Sequence, residues 1–181
     1  DPYLATVRTT LYRLFLASLD LEDVTESTHW CEEGQRRFPQ YYRFTECQLY
    51  LYALKGVKPD VPRAWHLLDE YVKVSPVSSR EFNRHFGQIL VSMALARAGQ
   101  VDSARRVAER SRADATVDPT RDLAQFEAAA RLIMGDKDEA LRLLSTYVAA
   151  NPQVRTGMAK DETWWFRDLR SDPRWRSLVG L

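Results

Sequence analysis

The residues best suited to chemistry in this chain are its histidines, and their spacing does not assemble a known type of reactive centre. His29, His66 and His85 lie far apart, and none belongs to an HExxH pair or another metal-ligand spacing. His29 and Glu33 are one helical turn apart, which is more typical of a surface pair than of an acid–base couple. The sequence also contains no Gly-rich phosphate loop, no GxSxG elbow and no CxxC motif.

These patterns predict a chain without catalytic residues, without a cofactor and without a metal site. A catalytic site assembled from residues distant in sequence would not be detected from motif spacing.

The two cysteines, Cys31 and Cys47, each lie in a segment with a helical pattern. A metal site needs several thiols or imidazoles at close spacing, and a disulfide scaffold needs more pairs in a shorter chain. We therefore expect two buried free thiols. Free thiols favour a reducing compartment, so we expect a cytoplasmic location.

Composition and charge favour an ordinary globular protein that binds neither nucleic acid nor membranes. The 181 residues are 45% hydrophobic and carry 26 basic and 25 acidic side chains, for a formal net charge of +1. Acidic residues interrupt each arginine group, such as Arg36-Arg37, so the sequence predicts ion-paired faces rather than a basic stripe. The apolar runs are short, as at residues 49–54, so we expect no membrane insertion.

The hydrophobic pattern predicts an all-α chain with eight helices in four pairs. Glycine and proline cluster between runs whose apolar residues recur at helical spacing. The predicted helices are 3–19, 22–37, 41–54, 62–76, 80–98, a sixth from 102, a seventh from about 118 to 134, and an eighth after 136.

A small residue followed by a proline recurs along these pairs. Twelve residues separate Ser27 from Pro39, Ala64 from Pro76 and Ala140 from Pro152, and Ala104 is followed at that offset by a threonine and then by Pro119. The four small residues are 37, 40 and 36 positions apart. This period is typical of stacked helix-turn-helix units.

The third and fourth pairs carry a family resemblance. Residues 96–104, Ala-Arg-Ala-Gly-Gln-Val-Asp-Ser-Ala, and residues 132–140, Leu-Ile-Met-Gly-Asp-Lys-Asp-Glu-Ala, resemble the turn of a tetratricopeptide repeat. The glycine ends the first helix, the alanine allows a close approach of the second, and proline ends the unit. Repeat one lacks the turn glycine and has Gly34 where a bulky residue is usual, and repeat two has a longer turn.

The resemblance implies a right-handed superhelix of about four helix-turn-helix repeats with C-terminal capping helices. We place the repeat array at residues 1–152, with repeats at about 3–39, 40–76, 79–118 and 119–152, and the cap at 153–181. We expect the cap to cover the last repeat with its aromatic and apolar residues. A protruding aromatic motif that binds a partner is the alternative. These residues are Trp164, Trp165, Phe166, Leu169, Trp175 and Leu178.

In such a superhelix the first helix of each repeat lines the concave groove. The repeat register places nine side chains toward this predicted groove: Tyr12, Leu16, Arg43, Glu46, Tyr50, Ile89, Met93, Arg97 and Gln125. The Lys and Asn pair that binds a peptide carboxylate in the chaperone-binding branch of the family is absent from these positions. An apolar and aromatic groove suits an amphipathic helix or an extended peptide. Packing against neighbouring helices is an equally good interpretation for Leu16, Tyr50 and Ile89.

The resemblance therefore implies a non-catalytic scaffold that binds a protein or peptide, of unknown oligomeric state. The segment Asp-Leu-Arg-Ser-Asp-Pro-Arg at residues 168–174 resembles the end of repeat arrays in bacterial multidomain signalling proteins. Because the sequence begins at Asp1 without a methionine or a basic-then-apolar leader, we expect a processed product or a piece of a longer protein. The resemblance implies the C-terminal part of a larger bacterial protein. The alternatives are the regulatory or sensory arm of a serine/threonine kinase, nucleotide cyclase or transcription regulator, or a fixed accessory subunit of a complex.

Overall fold

The computed structural model describes the backbone of residues 2–181 and the side chains of residues 6–181, and all regular structure in this part of the chain is helical. The all-α prediction and the eight predicted helices are confirmed, although the third ends three residues earlier, and the seventh begins about four residues later, than expected. The α-helices are α1 Pro2–Asp20, α2 Val24–Arg37, α3 Tyr42–Leu51, α4 Val61–Val74, α5 Arg80–Arg97, α6 Val101–Arg110, α7 Asp122–Ile133, α8 Lys137–Ala150, α9 Arg155–Lys160 and α10 Pro173–Val179. Short 3-10 helices cover Val77–Ser79, Pro152–Val154 and Trp164–Leu169.

Local sequence accounts for where several helices begin and end. The carboxylates of Asp23 and Asp60 accept backbone N–H bonds from the first turns of α2 and α4 at 3.0 and 2.9 Å, which satisfies donors that have no partner within the helix. Gly99 and Gly135 follow α5 and α7 with φ of 78° and 82°. Glycine adopts this left-handed conformation without strain, so the chain reverses within a few residues.

The eight long helices form two layers. Each helix contacts the next along the chain, and the odd-numbered helices α1, α3, α5 and α7 also contact one another in sequence. The four repeated small residues, Ser27, Ala64, Ala104 and Ala140, are 0% exposed. They allow each even-numbered helix to approach its neighbours closely. We call the four odd-numbered helices, which contact one another, the inner layer. Stacked helical hairpins are thus observed, while the tetratricopeptide assignment and the hand of the superhelix stay predictions.

The expectation of free cysteines is wrong, because Cys31 and Cys47 form a disulfide with their Cα atoms 5.8 Å apart. Cys31 lies on α2 and Cys47 on α3, so the bond joins the first hairpin to the second. Sequence reasoning sought a scaffold of several bonds and overlooked a single bond between adjacent helices. Because the thiols are not free, they no longer favour a reducing compartment. The predicted cytoplasmic location therefore has no support from the cysteines.

We expect reduction of this disulfide to lower the free energy of unfolding by up to about 3 kcal/mol, because the bond closes a loop of 16 residues in the unfolded chain. Urea unfolding with and without dithiothreitol measures the difference. The Cys31→Ser, Cys47→Ser double variant is the control, since its stability should not respond to the reductant. An equal response of both proteins would contradict the prediction.

The C-terminal segment links the last hairpin to the first helix. α10 packs on α8 and α9, and the 3-10 helix Trp164–Leu169 packs on α7. From there, Trp164 Nε1 donates a hydrogen bond to the Leu19 carbonyl oxygen at 2.9 Å, and Arg167 pairs with Glu22 at 2.7 Å. The segment therefore closes the open side of the helical array, which a cap on the last repeat alone would not do.

The aromatic residues of this segment pack into the fold and do not protrude. Phe166, Leu169 and Trp175 are at most 5% exposed, and the rings of Phe166 and Trp175 stack with centroids 5.7 Å apart. Trp164 is partly buried against the core. Of the two interpretations of the aromatic residues, the packed one agrees with the structure.

Candidate binding cavity

A partly open cavity of about 630 Å³ lies where the inner helices meet the C-terminal segment. Side chains of α1, α3, α5 and α7 line it, together with Ser79, Asp161, Trp165 and Phe166, and no residue of an even-numbered helix contributes. The layered packing explains this arrangement, because only the odd-numbered helices present a face to the inside of the array. A volume of this size is typical of ligand pockets.

Six of the nine predicted groove residues line this one cavity. They come from α1, α3 and α7, and they are Tyr12, Leu16, Arg43, Glu46, Tyr50 and Gln125. That these side chains contact a partner stays a prediction.

The other three predicted groove residues, all on α5, do not line the cavity. Ile89 and Met93 are 1% and 0% exposed, because α5 packs against helices on several sides at this level. Arg97 donates from Nε to the Ala53 carbonyl oxygen at 2.8 Å. Phe82 and Phe86 face the cavity instead, and each precedes a predicted position by seven residues. The cavity therefore lies two helical turns nearer the N-terminus of α5 than the predicted positions.

Glu46 is a buried carboxylate at the base of the cavity, with 1% exposure. It accepts hydrogen bonds from the Tyr12 hydroxyl, from the Tyr71 hydroxyl at 2.7 Å and from Arg43 Nη1 at 2.9 Å. Burial, together with the charge of Glu46, raises the pKa of both tyrosines far above the usual range. Both hydroxyls therefore keep their protons and act as donors that hold Glu46 in place.

Among the described residues that line the cavity, Arg43 is the only basic one, and it is occupied by contacts within the protein. Besides its pair with Glu46, its guanidinium lies 5.4 Å from the centre of the Tyr12 ring and 4.9 Å from that of Tyr42. These contacts combine an ion pair with two cation–π interactions. The positive charge of Arg43 is thus neutralised at the cavity wall.

A continuous wall of aromatic rings forms another side of the cavity. The rings of Phe86 and Phe126 meet edge to face with centroids 4.6 Å apart, and Tyr50 meets Phe86 at 5.7 Å and Trp165 at 6.1 Å in the same manner. Phe82 extends the wall by stacking on Phe86 at 6.4 Å. Among the described residues, no cation lies over the face of any of these five rings.

Three further acidic residues line the cavity, and Arg170 contacts one of them, Asp161, only through its backbone carbonyl oxygen at 2.6 Å. Asp20, Asp122 and Asp161 line it, and none forms an ion pair with another described residue. Trp165 Nε1 donates to Asp20 Oδ1 at 3.0 Å. Burial raises the pKa of the Asp20 carboxyl, and the negative charge of Asp161 raises that pKa further. The cavity thus has an unbalanced negative charge beside its aromatic wall.

Sequence reasoning missed the contribution of the C-terminal segment and of the end of α1. Trp165 and Phe166 were assigned to a cap, and Asp20 was not considered. The adjacent tryptophans Trp164 and Trp165 were a possible signal, because an indole has an N–H that needs a partner when buried. Their partners lie 145 residues away in sequence, which no local pattern indicates.

His29, Arg36 and Arg37 form surface contacts in the structure. Glu33 pairs with Arg36 and Arg37 rather than with His29, and His29 lies against the Trp30 ring with centroids 4.7 Å apart. The expected pair of His29 with Glu33 is therefore not formed, whereas the predicted ion pairing of the arginine groups is observed.

No group of three or more His, Cys, Asp or Glu side chains among the described residues has a geometry that could hold a metal ion. None of the described helices has both the length and the hydrophobicity that a bilayer crossing requires.

Comparison with protein-family models, with curated proteins and with solved structures gives no match to this chain. The resemblance to tetratricopeptide repeats therefore depends on the motifs quoted above and on the stacked hairpins.

Proposed function

We propose that this chain is a non-catalytic module that binds a segment of a partner protein in the cavity of its inner layer. The observation that carries the proposal is the convergence of four inner helices and the C-terminal segment on one cavity lined by aromatic rings. Aromatic side chains dominate the energetics of most protein interfaces, because they bury large areas with few rotatable bonds.

The chemistry of the cavity favours binding over catalysis. Its most buried carboxylate, Glu46, is held by two tyrosine hydroxyls and a guanidinium, so its lone pairs are already used. None of the three histidines lines the cavity. A general base needs access to a substrate proton and a pKa near the working pH, and the geometry offers no histidine for that role.

A partner segment suits this site because the cavity lies on the face of a helical array. Arrays of stacked hairpins present extended inner surfaces along which a chain can lie. One or two side chains of such a segment would fill the cavity while its backbone follows the inner helices. This mode agrees with the tetratricopeptide-like interaction scaffold that the motifs imply.

We expect the Gln125→Trp variant to lose binding to peptides selected with the unmodified protein by at least tenfold, because a larger side chain on α7 fills the cavity. Selection from a displayed library of random twelve-residue peptides, followed by calorimetric titration, measures this loss.

Gln153→Trp is the matched control, since Gln153 is exposed and lies outside the cavity. Circular dichroism would verify that both variants fold. Failure to select any peptide, or equal binding by both variants, would contradict the proposed function.

Three predictions from the sequence do not depend on the cavity. They are the place of the module in a larger bacterial protein, its role as a signalling arm or accessory subunit, and its compartment.

A further inference from the structure

We infer that the cavity receives the cationic side chain of a lysine or arginine presented by the partner segment. The inference deepens the proposed function and depends on it, because it names the chemistry of the side chain that enters the cavity.

The charge of the cavity favours a cation. Asp20, Glu46, Asp122 and Asp161 line it, and Arg43 is the one basic residue among its described lining residues. Arg43 is paired with Glu46 at 2.9 Å, and Arg170 donates to the backbone carbonyl oxygen of Asp161 at 2.6 Å rather than to its carboxylate. No described basic side chain therefore forms an ion pair with the other three carboxylates. A positively charged side chain would balance them, whereas an acidic one would add to their mutual repulsion.

The aromatic wall also favours a cation. Tyr50, Phe86, Phe126 and Trp165 form a chain of rings, and no cation from the described part of the protein lies over their faces. The face of an aromatic ring carries partial negative charge, so it attracts ammonium and guanidinium groups, and more strongly where water is excluded. A wall of rings next to carboxylates therefore selects an organic cation over a neutral apolar group.

The position of Asp20 beside Trp165 favours a cation as well. Trp165 Nε1 donates to one oxygen of Asp20 at 3.0 Å, which fixes a carboxylate beside the indole ring. Asp161 also lines the cavity and lies close enough to Asp20 for the two charges to repel. A cation between the two carboxylates would relieve this repulsion while it contacts the Trp165 ring.

The dimensions agree with a long side chain. Lysine and arginine have apolar stems that pack along aromatic surface while the charged group reaches a polar partner. A cavity of about 630 Å³ accommodates such a side chain together with part of its neighbour. The partner we infer is therefore a segment with at least one exposed basic residue.

The test uses four blocked peptides, acetyl-Ala-Ser-Xaa-Ser-Ala-amide, in which Xaa is lysine, arginine, norleucine or glutamate. Binding is followed by NMR through the indole N–H resonance of Trp165, which a Trp165→Phe variant assigns. We expect the lysine and arginine peptides to bind at least about tenfold more tightly than the norleucine peptide, because norleucine keeps the apolar stem and lacks the charge.

The variant for this test is Asp20→Asn, which keeps an oxygen for Trp165 Nε1 and removes the charge. We expect this variant to bind the lysine peptide about fivefold more weakly, or weaker still, and to bind the norleucine peptide as the unmodified protein does. Asp69→Asn, at an exposed position of α4, is the matched control and should change neither.

Each other outcome would overturn the inference. Equal or tighter binding of the norleucine or glutamate peptide would show that the cavity does not select a cation, while peptide binding there would stand. If none of the four peptides changed the Trp165 resonance, the cavity would not bind a cationic side chain beside Trp165, and the inference would be wrong. The proposed function would still be judged separately, by the library selection and its Gln125→Trp variant.

Discussion

The Glu46→Ala variant is expected to lose about 3 to 5 kcal/mol of unfolding free energy, because it removes the shared acceptor of three donors. Tyr71 is 0% exposed, and its hydroxyl would be left buried without its partner. An unsatisfied buried hydroxyl costs about 1 to 3 kcal/mol. Tyr12 loses its acceptor as well, and Arg43 loses its ion pair. Urea unfolding monitored by circular dichroism measures the loss.

Two further variants separate the hydrogen-bond network from general effects of substitution. Glu46→Gln keeps one oxygen acceptor, so its loss should fall between those of the unmodified protein and of Glu46→Ala. Glu81→Ala removes an exposed carboxylate on α5 that makes only long ion pairs, at 3.5 and 3.6 Å, and should change stability by less than about 0.5 kcal/mol. A Glu46→Ala loss no larger than that of Glu81→Ala would show that the network does not stabilise the fold.

The helices and their pairing were predictable from sequence because both depend on local chemistry. Apolar residues at helical spacing and glycines such as Gly99 and Gly135 act within a few residues of the structure they determine. The period of the small residues predicted that the hairpins stack. Small side chains such as Ala64 and Ala140 let the second helix of each hairpin lie close to its neighbours. The inner positions on α1, α3 and α7 followed from the same register.

The features that sequence reasoning missed all depend on distances between hairpins. The position of the cavity along α5 depends on how α5 packs between α3 and α7, which the repeat register does not contain, so the register assigned Ile89 and Met93 in place of Phe82 and Phe86. The disulfide depends on the distance between α2 and α3. The closure by Trp164 and Trp165 depends on the array bringing α1 within reach of a segment 145 residues later.

Closure of the array gives the cavity its chemical character. Without the C-terminal segment, the inner layer would present Tyr50 and Phe86 as part of an open apolar face. The segment adds Trp165 and Asp161 and fixes Asp20 through a hydrogen bond. An open surface thereby becomes a cavity with aromatic walls and unpaired carboxylates, and this combination supports the inference of a cationic ligand.

Gly34 offers the second large effect, because its position on α2 has no space for a side chain. A Cβ atom there would lie 2.0 Å from Cε1, 2.2 Å from Cδ1 and 2.5 Å from Cζ of Phe44. Real Cβ atoms essentially never make such contacts. The Phe44 ring is 0% exposed and packs against the rings of Phe38 and Tyr41, with centroids 6.2 and 5.6 Å away. The ring therefore has little freedom to move.

The Gly34→Ala variant is expected to lose about 3 kcal/mol or more of unfolding free energy, since overpacking of a rigid core forces neighbouring atoms to shift. Helix propensity alone predicts the opposite sign, a gain of about 1 kcal/mol for alanine over glycine inside a helix. Gly157→Ala, on α9, is the matched control, because no atom lies within 4 Å of its added Cβ. That control should be neutral or slightly stabilising.

Urea unfolding measures whether each of the two alanine variants has a higher or a lower free energy of unfolding than the unmodified protein. A stabilising or neutral Gly34→Ala would mean that α2 and α3 separate easily. The Cys31–Cys47 disulfide opposes such a separation, because it joins the same two helices. We therefore expect reduction of the disulfide to lessen the loss caused by Gly34→Ala, since the freed helices can then move apart to accommodate the new methyl group.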